Sequence, residues 1–153
     1  TLEGNALIKA RHVWERYGLY CFADDTGLEV EALDGAPGVY SARFAGEHAT
    51  FEENVALLLE RLKGVPAPRR ACFRTVIALI DEYGTHFFAG AVNGEITLER
   101  SGDHGFGYDP VFRPEGCQQT FAELSSEEKN AMSHRGRAVQ RLARYLHALP
   151  LDE

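Results

Sequence analysis

Apolar residues recur at helical spacing in some stretches of the chain and alternate with polar ones in others, and this pattern divides it into elements. Thr1 to Tyr17 reads as a helix: Ala6, Leu7, Ala10 and Trp14 lie along one face, Thr1 is placed to cap it, and Gly18 supplies the stop. Leu19 to Ala23 is a short apolar strand that Asp24-Asp25-Thr26-Gly27 cuts off, and a second strand alternates from Leu28 to Leu33. The run Asp34-Gly35-Ala36-Pro37-Gly38 gathers turn formers. Thr50 and Glu53 have capping-box spacing ahead of a helix carrying Val55, Leu58, Leu59 and Leu62, which Gly64 ends. Ala71 to Ile80 is rich in β-branched and aromatic residues and reads as a strand. Tyr83-Gly84 turns it into a hairpin partner from His86 to Val92, and Asn93-Gly94 marks a further turn before Glu95 to Glu99.

Ser101 to Asp109 has three glycines and no period, so it is a loop. Ser125 and Glu128 form another capping box, and Ser133 caps a last helix whose apolar face is Ala138, Leu142, Tyr145, Leu146 and Leu149. Helices at both ends flank the strands, which predicts an α/β domain over 1–153 built on a mixed sheet rich in hairpins.

Composition narrows the function classes. The 153 residues include 44% hydrophobic and 25% charged side chains, the balance of an ordinary globular protein. Sixteen basic against 23 acidic residues give a net charge of −7, which argues against non-specific binding to nucleic acid or to an anionic membrane. No apolar run approaches the roughly 20 residues that span a bilayer. Cys21, Cys72 and Cys117 are widely spaced, with no CxxC pair, so they read as idle or buried thiols of a cytoplasmic protein. The sequence opens at Thr1 without a methionine and enters a helical pattern at once, so preceding or processed residues are expected ahead of it.

Three tracts are candidates for chemistry. Asp24-Asp25 at the end of an apolar strand suits a metal–phosphate site, because Mg²⁺ takes one or two carboxylates and leaves its other positions to water and phosphate. The other reading is a solvated turn leading into Gly27. Ser125 to Arg135 places His134 and Arg135 in the first turn of a helix, where the dipole disfavours cations unless an anion is near, and Lys129 can point at the same spot. The alternative is pairing with Glu127 and Glu128 on a solvated face. In Gly105-Phe106-Gly107-Tyr108-Asp109-Pro110, two glycines flank an aromatic, so Phe106 or Tyr108 can stack on a base and Asp109 can accept from a purine ring N–H. The same run can instead be a turn with its aromatics in the core. Lys9 alone reads as a surface lysine, and His12, His48, His86, His104 and His147 show no ligand spacing. GxSxG, HExxH and Walker-type loops do not occur.

Five stretches taken in order resemble the inosine/xanthosine triphosphate pyrophosphatase family. They are Asn5 to Ala10, Ala23 to Leu28, Gly35 to Arg43, Phe106 to Pro110 and Glu128 to Arg135, and the similarity runs from Thr1 to about Leu146. The resemblance implies an elongated α/β protein with two lobes, an active cleft between them and a homodimeric state. It implies cleavage of ITP, dITP and XTP to the monophosphate and pyrophosphate, with Mg²⁺ as cofactor. Carried over by position, Asp25 is proton acceptor and metal ligand, and Thr26 touches the substrate. Lys9, Lys129 and Arg135 hold phosphates or base with His134 beside them, and Phe106, Gly107, Tyr108 and Asp109 form the base pocket. The family's opening strand, its Ser/Thr-x-Asn-x-x-Lys phosphate loop and an acidic ligand lie upstream of Thr1 and outside this sequence, and Gly4 stands where members often carry Glu. If the protein lacks that segment, the expectation changes to a non-catalytic nucleotide-binding module.

Overall fold

The computed structural model describes residues 1–149. Helix α1 (Leu2–Tyr17) begins where Thr1 Oγ1 accepts from the Gly4 amide at 2.9 Å. It ends at Gly18, whose left-handed backbone lets its amide reach the Trp14 carbonyl. Both caps are the ones the sequence predicts.

Strand β1 (Cys21–Val30) is a single ten-residue strand rather than two short ones. Asp24 and Asp25 stay in the ladder because their side chains leave on opposite faces and each meets a cation there. Gly27 is needed because the Gly38 carbonyl lies 2.5 Å from where its Cβ would be. The remaining elements are β2 (Pro37–Gly38), α2 (Phe51–Arg61), β3 (Arg70–Asp81), β4 (Gly84–Ile96), β5 (Phe112–Pro114), α3 (Ser126–Met132) and α4 (His134–Ala148). The strands lie in the order β2-β1-β3-β4-β5. The α/β architecture with flanking helices is as expected, and the pairings among the described residues are all antiparallel rather than mixed.

Asn93-Gly94 lies inside β4, not at a turn. Gly94 serves close packing instead: an added Cβ would lie 2.4 Å from the Arg113 carbonyl of β5.

The 12 residues of β3 and 13 of β4 exceed the usual strand of about 5–6. Three hydrophobic clusters therefore form along one sheet. Toward the β3–β4 turn, Ala78 and Ile80 pack on Ala6 and Ala10 of α1, while Ile77 and Leu79 pack on Ala138 and Leu142 of α4 across the sheet. At the other end, Leu28, Val30, Phe73, Phe112 and Phe121 close on Val55 and Leu58 of α2 and on Leu62 just after it. Fully burying one such side chain is worth about 1.5–3 kcal/mol. A cleft opens where the start of α4 meets the last of these clusters. No helix of the described residues is long and apolar enough to cross a membrane.

Candidate active site

The cleft holds about 460 Å³ and is lined by Thr26, Phe106, Gly107, Tyr108, Asp109, Lys129, His134 and Arg135, eight of the residues singled out in the sequence. Ser41, Phe51, Asn54 and Phe73 are among the other residues of its walls.

The two aromatics of the glycine-rich loop divide their tasks. Phe106 is 59% exposed and presents its ring to the cleft, with the Lys129 ammonium 4.6 Å from the ring centre. Tyr108 is buried, and its hydroxyl donates to the Ser41 carbonyl at 2.6 Å. Burial raises the Tyr108 phenol above its ordinary range, so it stays protonated and ties the loop to the segment after β2. Asp109 is also buried. Its Oδ2 accepts from Lys129 Nζ at 2.5 Å and from the Phe106 amide at 3.1 Å, which sets the lysine under the ring. Lys129 does not pair with its acidic neighbour in sequence, because Glu128 is engaged in the capping box with Ser125.

Helix α4 brings the next two groups. Ser133 Oγ accepts from the Gly136 amide at 3.0 Å and starts the helix. His134 lies flat on Phe73, with ring centres 4.8 Å apart and planes 12° from parallel. Burial, followed by the charges of Arg135 and Lys129, pushes its imidazole down to about 4, so it is neutral at physiological pH. Its Nδ1 is buried without a hydrogen-bond partner. Arg135 turns the other way and meets Asp24, Nη2 to Oδ2 at 3.2 Å.

A second group lies on the α1 side of β1. Asp25 Oδ2 accepts from Asn5 Nδ2 at 3.2 Å, and Oδ1 from Lys9 Nζ at 3.3 Å. The same ammonium donates to the Asp24 carbonyl at 2.9 Å. Lys9 is therefore not an idle surface lysine. Asp25 and Lys9 do not line the cleft itself: Asp25 is one residue along β1 from Thr26 and so points to the other face of the sheet, toward Lys9 on α1, while the Thr26 hydroxyl bonds that of Thr75 at 2.8 Å.

Asn5 had no assigned role in the sequence reading, although it stands one helical turn before Lys9 on the same face of α1. Phe73 gave no signal, since an aromatic in a buried strand reads only as core.

A model of the Ham1 family matches residues 1–145. A dITP/XTP pyrophosphatase of Porphyromonas gingivalis is 62% identical over 146 residues, covering 95% of this chain and 75% of the relative. One from Flavobacterium johnsoniae is 52% identical over 148 residues, 97% of this chain and 77% of the relative. Among solved structures, a HAM1 protein from Coxiella burnetii superposes with a TM-score of 0.93 at 44% identity, over 97% of this chain and 78% of that one. The Staphylococcus aureus Ham1 protein gives 0.92 at 42% identity, over 96% and 77%.

Proposed function

The chain belongs to the Ham1 family, and on that footing we propose that it hydrolyses dITP, XTP and ITP to the nucleoside monophosphate and pyrophosphate. The observation that carries this reading is that one strand carries two unlike sites: an aromatic cleft with one ammonium and a neutral imidazole beside Thr26, and, on the sheet's other face, Asp25 paired with Lys9 of α1. The first suits a flat base and the second a phosphate chain.

Phe106 supplies a stacking face, worth roughly 1–3 kcal/mol for a base. Lys129 and the orphaned His134 Nδ1 provide the polar contacts to its edge. A 6-oxo group accepts from the lysine, whereas an adenine amino group leaves buried donors facing each other. Discrimination of this kind can reach about 10⁴.

Asp25 receives the proton of the attacking water. Asn5 and Lys9 each hold one of its oxygens and so fix the carboxylate's orientation. General-base help of this kind contributes about 10²–10⁴-fold. Lys9 and Arg135, on opposite faces of β1, are placed to balance charge on the departing pyrophosphate. Asp25 also fits a magnesium ion: it is a carboxylate whose side chain is 17% exposed, and Mg²⁺ takes one or two carboxylates and leaves its other positions to water and phosphate. Bound there, Mg²⁺ would neutralise phosphate charge and polarise phosphoryl oxygens. A cytosolic homodimer belongs to the same reading, and three free thiols suit a reducing compartment.

The test is product identity. With XTP and Mg²⁺, chromatography should recover XMP and pyrophosphate in equal amounts. XDP and orthophosphate would contradict the reading, and tight binding without any product would favour the nucleotide-binding module.

A further inference from the structure

The first turn of α4 rests on β4 at a point where the sheet has no side chain. A Cβ built on Gly90 would stand 2.1 Å from the His134 carbonyl, 2.5 Å from the Ala138 amide and 2.8 Å from the Arg137 Cβ. Two of these three atoms are helix backbone, so no rotamer change relieves the overlap. The turn that touches Gly90 is the turn that carries His134 and Arg135 into the cleft.

Gly90 also has a defined place relative to the rest of the site. It pairs across the sheet with Thr75, and Thr75 pairs with Thr26. The Thr75 hydroxyl, fully buried, bonds the Thr26 hydroxyl at 2.8 Å. A single row across three strands therefore runs from a cleft residue on β1 to the seat of α4. One residue further along β4, the Ala91 carbonyl accepts from Arg137 Nη1 at 2.6 Å and pins the same turn from its exposed side.

We infer that Gly90 is a positioning residue of the site: its missing side chain sets the depth at which the start of α4 seats on the sheet, and hence where His134 and Arg135 stand relative to Thr26. Ile77 and Leu79 pack on Ala138, which also touches Gly90, and on Leu142 one turn further along. Any side chain at 90 lifts this turn away from the row, and the imidazole moves with it.

This inference rests on the functional reading above, so its test includes a readout that needs no turnover. On the intact protein, the variants are Gly90→Ala, Arg137→Ala and, as a control for lost stability, Leu142→Ala, which loosens α4 beyond its first turn. Gly90→Ala should raise the KM for XTP about tenfold or more, and lower the preference for dITP over dATP. Arg137→Ala should raise KM about threefold, with little change in melting temperature. Leu142→Ala should melt earlier at unchanged KM. The ring resonances of His134 should shift in Gly90→Ala and Arg137→Ala and stay in place in Leu142→Ala. Wild-type KM and ring resonances in Arg137→Ala, or in a folded Gly90→Ala, would overturn the inference. So would a KM change in Leu142→Ala equal to theirs. A wild-type protein inert toward every triphosphate would refute the functional reading instead, and the His134 resonances would still decide the role of Gly90.

Discussion

Asp24 and Asp25 are neighbours in the chain, yet they serve opposite faces of the sheet. Asp24 reaches Arg135 at the start of α4, and Asp25 reaches Asn5 and Lys9 on α1. The alternation of a strand produces this split, and the Asp24 partner Ile77 agrees with it, packing toward α4. One dipeptide thus links both flanking helices to the strand that also carries Thr26.

The two carboxylates should behave differently when neutralised. Asp25→Asn should lower kcat by about 10²–10⁴ and leave the melting temperature nearly unchanged. Asp24→Asn loses a half-exposed ion pair of the kind worth at most about 1 kcal/mol, so a KM rise of no more than about fivefold is expected. Steady-state kinetics with XTP separates them. Equal losses from both would contradict the division of roles.

Lys129→Met should cost about 3–5 kcal/mol of stability, because it leaves the Asp109 carboxylate buried and without its cation. Adding Asp109→Asn should restore most of the stability but not the substrate affinity, since the ammonium facing Phe106 is still missing. Denaturant melts and KM values on the three variants check this. A double variant that regains wild-type KM would show that Lys129 acts on the fold alone.

His134 makes stability depend on pH. Its folded-state value, about 4, lies below its ordinary 6.5, so the unfolded chain takes up the proton first as pH falls. The stability it supports is whole above pH 6.5 and declines toward pH 4, by up to about 1.4 kcal/mol per pH unit. His134→Phe keeps a ring on Phe73 and should lack this component. Melting temperatures of both proteins should run parallel above pH 6.5 and diverge below it; parallel curves throughout would contradict the burial of a neutral imidazole.

At the far end of the hairpin, Asp81 accepts from Tyr145 at 2.8 Å and lies 3.1 Å from His86 Nε2. Burial raises its carboxyl, but bonds from Tyr145, the Tyr83 amide and His86 outweigh that and hold it below the usual carboxylate range. Tyr145→Phe should cost about 1–2 kcal/mol in denaturant melts and leave KM untouched, because this cluster ties down the far end of α4 rather than its first turn. A KM effect would mean that the whole helix, not its seat on Gly90, sets the site.

Much of this was legible in the chain. Thr1, Thr50, Ser125 and Ser133 cap helices through their side-chain oxygens and Gly18 through its left-handed backbone, since capping is local. Asp24 to Gly27 and Asn93-Gly94 misled for one reason: polar and glycine residues read as turns unless the partners that accommodate them are known. Those partners, Arg135, Lys9, Gly38 and Arg113, come from distant parts of the chain. The candidate residues that line the cleft could be picked out by type and order, but their arrangement could not. That Asp109 is engaged by Lys129, that Tyr108 is buried while Phe106 is open, and that Phe73 supports His134 all depend on tertiary contacts.

The most direct measurement is pyrophosphate release from dITP, XTP and dATP by one preparation of the intact protein, with Mg²⁺ and with chelator. Release from dITP and XTP at a kcat/KM at least about a hundredfold above that for dATP, abolished by chelator, is the predicted result. Equal turnover of dATP, or none of dITP and XTP, would contradict the assignment of this cleft to 6-oxo purine triphosphates.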